Sequence, residues 1–159
     1  MVVDSPIGPL TLVADDDGLT AVHFADEHKR ALPRDLPVDP AHPMLVAAAE
    51  QLTEYFDGDR RDFELDLHLT EGTDFERQVW RVLATIPFGE TMSYGEQAAA
   101  VGRPGGAQAV GAANGRNPLA IVLPCHRVIG ADGSMVGFGG GIPTKQWLLD
   151  HERGTQRLF

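Results

Sequence analysis

The apolar pattern of this chain changes period near residue 72, and that change limits the fold more than any single motif. Before it, Leu10-Thr11-Leu12-Val13 and Leu19-Thr20-Ala21-Val22-His23-Phe24 read as two strands, with Asp15-Asp16-Asp17-Gly18 as the turn of a hairpin. Residues 26–43 carry Pro33, Pro37, Pro40 and Pro43 among charges and read as a loop. Leu45, Ala48, Ala49, Leu52, Tyr55 and Phe56 recur at helical spacing and predict a helix over 44–56, with Gly58 past its end. Phe63, Leu65, Leu67 and Leu69 alternate with Glu64, Asp66 and His68, the pattern of a half-buried strand. Glu71-Gly72 closes this part.

From Thr73 onward the spacing is helical. Thr73-Asp74-Phe75-Glu76 has the capping-box pattern, followed by Phe75, Val79, Val82, Leu83 and Ile86, with Pro87 and Gly89 ending the helix. Ser93-Tyr94-Gly95-Glu96 is a second capping box that opens a short helix through Ala100. Gly102-Arg103-Pro104-Gly105-Gly106 turns the chain, and 107–114 reads as another short helix. A last helix is expected over 144–153, with Trp147, Leu148 and His151 facing inward. The expectation is an α+β chain of two domains: 1–72, a small antiparallel sheet with a helix, and 73–159, largely helical.

Charge follows the same division. The chain has 13 basic and 23 acidic residues, a net charge of -10. The first 72 residues hold 5 basic and 16 acidic side chains, and the rest hold 8 and 7. The whole chain is therefore no general polyanion binder, yet its second half can meet phosphates. Two short helices joined by a glycine-containing turn resemble a helix-turn-helix, a pattern that many helix pairs without a DNA role share. The helix 107–114, made of small residues, lets a backbone approach closely, whether that of a neighbouring helix or of a ligand. No apolar run reaches the ~18–20 residues that a membrane-crossing helix needs. Met1-Val2-Val3-Asp4-Ser5-Pro6 has neither a basic region nor an apolar signal core, so a cytoplasmic protein without membrane contact is expected.

Cys125 is the one cysteine, which excludes an internal disulfide and a zinc site of several thiolates. His23, His28, His42 and His68 show no metal-ligand spacing, so no metal is expected. Gly137–Gly141 lacks the Gly-Lys-Ser/Thr ending of a phosphate loop. A lone cysteine is more often a buried hydrophobe than a nucleophile. Here, however, an apolar run, Ile121-Val122-Leu123, delivers it between Pro124 and the pair His126-Arg127. Those are the residue types that stabilise a thiolate or take its proton. Adjacency along the chain does not by itself establish a Cys–His contact.

Asn117-Pro118, then Pro124-Cys125-His126-Arg127-Val128, then Phe138-Gly139-Gly140-Gly141, then Lys145-Gln146-Trp147-Leu148-Leu149-Asp150-His151-Glu152 resemble the O6-alkylguanine-DNA alkyltransferases. The likeness runs over 73–153, and more weakly over Asp4–Gly8 and Tyr55–Gly58. It implies a ribonuclease-H-like first domain and a winged-helix-like second domain. It also implies DNA repair by single-turnover transfer of the alkyl group from O6-alkylguanine, and from O4-alkylthymine, to the protein, without a cofactor. Cys125 matches the alkyl acceptor, His126 the base that takes its proton through a water, and Glu152 the carboxylate that orients the histidine. The logic is that of a nucleophile–base–orienter triad. Asn117 matches a brace of the active-site turn, and Tyr94 a residue beside the target nucleotide that protonates the departing guanine. Arg127 matches a structural arginine next to the base site. Val128 and Phe138, Gly139 and Gly140 match the walls of the guanine pocket. The partner implied is double-stranded DNA, held through its minor groove by a monomer, with Gln108, Ala109 and Ala112 of the second short helix, and Arg116 beyond it, at the contact.

At two positions the chain departs from the pattern of the family it resembles. Gln108 stands where the family has an arginine that fills the gap left by the flipped base, and it brings neither charge nor a guanidinium plane. Phe138 replaces a frequent tyrosine. Three other functions share parts of this pattern: a lesion binder that does not transfer, a thiol hydrolase using Cys125, His126 and Glu152, and a transcription regulator. The acceptor cysteine speaks against the first, repeated turnover would mark the second, and the third needs a further N-terminal domain.

Overall fold

The computed structural model describes residues 1–24, 42–134 and 141–157. The chain is α+β and divides into two compact units, Met1–Thr70 and Glu71–Phe159. Apart from His42 and Pro43, the expected loop over 26–43 lies outside the described residues.

The first unit is a three-stranded antiparallel sheet, in order β1 (Val2–Val3), β2 (Leu10–Asp15) and β3 (Gly18–Phe24), with one helix, α1 (Pro43–Phe56). The hairpin forms as expected because Asp15 closes its own turn: Oδ1 accepts from the N–H groups of Asp17 (2.9 Å) and Gly18 (3.1 Å). Gly18 must be glycine, since a Cβ there would lie 2.6 Å from the Asp66 carbonyl oxygen. Strand β1, only two residues long, has no pattern that a sequence reading detects. Helix α1 starts at Pro43, where a missing N–H is harmless, and the His42 ring accepts from the Met44 N–H (3.2 Å). Its inward stripe of Leu45, Ala48, Leu52 and Tyr55 packs on β2 and β3, whose Leu10, Leu12, Leu19 and Val22 complete an apolar core. Each such leucine contributes about 1.5–3 kcal/mol of burial.

The strand expected over Phe63–Leu69 is corrected to an irregular segment with one parallel bridge, Leu19 to Leu67. The alternation holds over Phe63 to Asp66, with Phe63 and Leu65 half-buried and Glu64 and Asp66 exposed, and breaks beyond, where Leu67 is exposed and His68 half-buried. Its backbone groups find two kinds of partner. Gln51 of α1 accepts from the Glu64 N–H (2.8 Å) and donates to the Glu64 carbonyl (3.0 Å), whereas the Leu19 N–H donates to the Asp66 carbonyl (2.8 Å) and the His68 N–H to the Leu19 carbonyl (2.9 Å).

The second unit opens with α2 (Asp74–Leu83), capped reciprocally by Thr73 and Glu76 as the sequence predicts. It stops at Leu83, short of Ile86, which is nevertheless buried. Next come β4 (Met92–Ser93) and α3 (Tyr94–Ala100), the latter capped by Ser93 and Glu96, and then α4 (Ala107–Gly115). The Trp80 indole donates to the Ala113 carbonyl (2.7 Å), tying α2 to α4. Gln97 and Asn114 exchange amide hydrogen bonds (2.9 and 2.7 Å), tying α3 to α4. A 3-10 turn, Cys125–Arg127, leads into β5 (Val128–Ile129), which pairs in parallel with β4, Met92 opposite Val128. That short ladder brings Tyr94, the first residue of α3, beside the segment that follows Cys125.

Helix α5 (Ile142–Arg157) is longer than expected, and its inward stripe is different. Lys145, Leu148, Leu149 and Glu152 are buried, at the i, i+3, i+4, i+7 positions of one face. Trp147 and His151, expected inward, are half-buried and stack on each other with centroids 4.9 Å apart. Two charged residues thus occupy positions that a hydrophobic reading assigns to apolar ones.

Candidate active site

Cys125 sits at the end of a loop that is buried and tightly wound. Leu123 N–H donates to Leu119 O, Val122 N–H to Ala120 O and Cys125 N–H to Leu123 O, each at 2.8 Å. Winding this tightly forces Ile121 to φ 71°, the left-handed region that a β-branched residue avoids. Such a conformation costs on the order of 1–3 kcal/mol and persists only where the surroundings over-determine it. Asn117 is the over-determining residue. Its buried side chain donates to Leu123 O (2.7 Å) and accepts from the Leu119 N–H (2.9 Å), clamping both ends of the loop.

Beyond Cys125, the 3-10 turn buries His126 and Arg127 completely or nearly so, against Glu152 of α5. His126 Nε2 lies 2.7 Å from Glu152 Oε2, and Arg127 donates to the same carboxylate through Nε (2.8 Å) and Nη2 (3.0 Å). The third arm of the guanidinium donates to the Ile86 carbonyl (2.7 Å). Burial alone would raise the Glu152 pKa, but the hydrogen bonds and charges of His126 and Arg127 outweigh it and hold the carboxyl far below the usual carboxylate range. Burial dominates at His126: its pKa falls below the ordinary 6.5 although Glu152 pulls upward, so the imidazole is neutral at neutral pH. With Glu152 ionised, Nε2 carries the proton and donates it to the carboxylate. The lone pair then sits on Nδ1, a buried nitrogen with no hydrogen-bond partner among the described residues. Arg127 is therefore a buried brace of Glu152 and not a surface contact.

Tyr94 and Lys145 flank the cysteine from the other side. The Tyr94 hydroxyl has a raised pKa, first from burial and then from the charge of Cys125. The Lys145 pKa is lowered by burial, against which the Cys125 charge acts. Lys145 is wholly buried; its Nζ donates to the Val128 carbonyl (2.6 Å), reaches the Tyr94 hydroxyl at 3.4 Å and lies 5.6 Å from the Tyr94 ring centroid. Lys145 is the site residue to which the sequence reading assigned no role. The available signal was its place at the head of a stripe that continues Leu148, Leu149, Glu152.

Of the other candidates, Gln108, Ala109, Ala112 and Arg116 are all exposed, on one face of α4 and its C-cap. Gly111 points the opposite way, and a Cβ there would sit 3.7 Å from the Tyr94 ring. The small residues of α4 thus serve two ends, close packing on Tyr94 and a smooth outer face. Arg116 is paired with Glu76 of α2 at 3.2 Å, at the far end of α4 from Gln108. Val128 is buried, with its carbonyl engaged by Lys145. Phe138, Gly139 and Gly140 lie outside the described residues. In the first unit, the fold joins what sequence spacing did not: His68 Nδ1 is 2.6 Å from Asp15 Oδ2 and 4.0 Å from Asp17 Oδ2, a cluster at the hairpin turn.

The chain is similar to known proteins in sequence and fold. Residues 74–154 match the family described as 6-O-methylguanine DNA methyltransferase, DNA binding domain, and residues 1–69 match its ribonuclease-like domain. The methylated-DNA–protein-cysteine methyltransferase of Mycolicibacterium paratuberculosis is 50% identical over 151 residues, which span 95% of this chain and 90% of that protein. The protein of the same name from Methanosarcina barkeri is 42% identical over 158 residues, 98% of each chain. Among solved structures, Mycobacterium tuberculosis OGT in complex with DNA superposes with a TM-score of 0.89 at 47% identity, covering 97% of this chain and 92% of that one. Since both units match and the alignments run nearly end to end, this chain belongs to the 6-O-methylguanine DNA methyltransferase family.

Proposed function

We propose that this chain repairs DNA by taking the alkyl group of O6-alkylguanine, and of O4-alkylthymine, onto Cys125 in one irreversible event that needs no cofactor. The observation that carries the reading is the His126–Glu152 pair beside Cys125: an ionised carboxylate fixes Nε2–H and leaves Nδ1 as the base. His126 takes the thiol proton through a bridging water, and the imidazolium formed sits 2.7 Å from Glu152. The thiolate Sγ attacks the alkyl carbon, the carbon–O6 bond breaks, and its electron pair leaves with guanine. Tyr94, whose raised pKa keeps it protonated, supplies the proton that neutralises the departing base. Asn117 holds the loop that aims the sulfur. The thioether is stable, so each molecule acts once.

Damaged DNA must present its base outside the stack for this geometry to work. The exposed face of α4 suits a minor groove, because Ala109 and Ala112 are small and carry no base-reading groups. Gln108 occupies the gap left by the flipped base, and Arg116 adds a charge near the phosphates. Val128 and, in the resemblance, Phe138, Gly139 and Gly140 wall the guanine pocket. The domain of 73–159 does this work, that of 1–72 supports it, and the protein acts as a monomer in the cytoplasm.

The test is to follow the DNA. A duplex containing O6-methylguanine, mixed with a limiting amount of protein, should return unmodified guanine up to one equivalent and then stop. Continued release beyond one equivalent would indicate a hydrolase, and no restored guanine would remove the repair reading.

A further inference from the structure

Resting on the reading of Cys125 as the acceptor and His126 as its base, we propose that Arg127 sets the charge state of that base. Its guanidinium, fixed on Glu152, keeps the imidazole neutral and Nδ1 free at the pH where the thiol proton must be taken. His126 and Arg127 share one acceptor: Nε2 of the first lies 2.7 Å from Glu152 Oε2, and Nη2 of the second donates to the same oxygen at 3.0 Å. Arg127 is held there independently of His126. Its Nε donates to Oε1 (2.8 Å), its Nη1 to the Ile86 carbonyl (2.7 Å), and its guanidinium carbon lies 5.7 Å from the centroid of the Phe88 ring. A guanidinium does not give up its proton in a protein, so this charge is permanent. From α5, Lys145 acts on His126 in the same direction as Arg127, and Glu152 in the opposite one. On α2, which also packs on the turn, Glu76 pairs with Arg116 and Arg77 donates to the Glu71 carbonyl, while Asp74 and Arg81 are exposed.

Charge counting gives the effect. His126 and Glu152 are wholly buried and Arg127 nearly so, and a buried cluster resists any net charge. With Arg127 in place, neutral His126, ionised Glu152 and the guanidinium sum to zero, and a proton taken from solvent would leave the cluster positive. Without Arg127 the sum is negative, and an imidazolium would bring it to zero. Removing the guanidinium therefore turns a cluster that rejects a proton into one that retains it. The retained proton occupies Nδ1, the nitrogen that has to serve as base. In the parent, the Cys125 S–H bond breaks, its electron pair stays on sulfur, and the proton passes through water to Nδ1. The cluster becomes positive only as the thiolate beside it becomes negative. Arg127 acts through Glu152 and His126, which makes it a positioning residue.

Nitrogen-15 NMR of the His126 ring reads this without any reaction, with His126→Asn assigning the signals. In the parent, the ring should be neutral at neutral pH, with its proton on Nε2. In Arg127→Met the titration should move up by about 1–3 units, so that the ring is largely imidazolium at neutral pH. Arg127→Lys, which keeps the charge and loses the planar fork, should stay close to the parent. An imidazolium in the parent at neutral pH would overturn the proposal, whatever the variants do. So would an Arg127→Met ring that titrates with that of the parent, or an equal upward shift in Arg127→Lys. Arg127→Gln takes the place of the methionine variant if that does not fold. Single-turnover rates on an O6-methylguanine duplex give the functional side. For Arg127→Met the rate should fall about tenfold or more at neutral pH and approach that of the parent as the pH rises to about 9. A fall by the same factor at every pH would make Arg127 a support of the fold and overturn the proposal. The intact mass of the parent after mixing with the duplex reports separately on the acceptor reading. A missing adduct would defeat that reading and leave the NMR titration interpretable.

Discussion

The two units of this chain bury different things. Met1–Thr70 closes over leucines, valines and Tyr55, with His23 as its buried polar residue among those described, and the contact of His68 with Asp15 lies at the edge. Among the described residues, Glu71–Phe159 also buries Glu76, Gln97, Asn114, Asn117, His126, Arg127, Lys145 and Glu152. These polar groups are tied by named hydrogen bonds, and five of the eight, Asn117, His126, Arg127, Lys145 and Glu152, surround Cys125 or hold the residues that do. Replacing buried ion pairs by apolar residues is often neutral or stabilising, so packing alone does not call for them. The difference teaches that the first unit is organised by hydrophobic burial and the second by the requirements of one sulfur atom.

The sharpest way to break this comparison is to remove that atom. Cys125→Ser should abolish alkyl transfer completely while the protein still binds DNA, as read by adduct mass and by a gel-shift titration. Any stoichiometric methylation of the variant would mean that the second unit serves another nucleophile.

Glu152→Gln comes next. It leaves Arg127 buried without its carboxylate and His126 without its orienter. We expect a loss of about 3–5 kcal/mol in stability and a fall in transfer rate of two orders of magnitude or more. Denaturant unfolding and single-turnover kinetics would measure the two. A rate equal to that of the parent would show that the carboxylate serves only the fold.

Gln108→Arg probes the outer face instead of the buried one. It should speed transfer from duplex DNA about tenfold, equivalent to ~1.4 kcal/mol of the few kcal/mol that base extrusion costs. Reaction with the free base O6-benzylguanine, which needs no flipping, should hardly change. Equal acceleration on both substrates would place residue 108 in the chemistry.

Acid should separate the units more gently. His126 has a folded pKa below its ordinary 6.5, so on acidification the unfolded chain takes up this proton first. Stability should therefore fall as the pH drops below about 6.5, and Glu152 should add a second fall below its ordinary 4.5, because its folded value is also depressed. His126→Asn should remove the first of these slopes from the pH dependence of the melting midpoint. An unaltered slope would assign it to other groups. The smallest effect is expected in the first unit. Asp15→Asn keeps the side-chain oxygen that closes the hairpin turn and loses only the carboxylate charge beside the half-buried His68 ring, so its midpoint should stay close to that of the parent.

Much of this was legible in the sequence where a local rule acts alone. Both capping boxes, the hairpin turn and helix α1 follow from short-range chemistry, and the structure places them within a few residues of the reading. Legibility ended where a long-range contact took over. The alternation of Phe63–Leu69 marked the buried side only as far as Asp66, since Leu67 is exposed and His68 half-buried, and a side chain from α1 took the backbone bonds of Glu64. Cys125, His126, Asn117 and Glu152 could be named because they stand in a recognisable order. The role of Lys145 could not, because a lysine at the head of a helix is ordinarily solvated, and only the packing of α5 buries it. The left-handed backbone at Ile121 had no signal at all, since isoleucine is among the last residues expected there.

The central claim is that the second unit is built to make Cys125 an alkyl acceptor. Intact-protein mass spectrometry after mixing with one equivalent of O6-methylguanine duplex tests it most directly, followed by peptide mapping. The expected product is a protein heavier by a single methyl group, with all of it on the peptide that contains Cys125. An unmodified protein, or a methyl group found on any other residue, would contradict it.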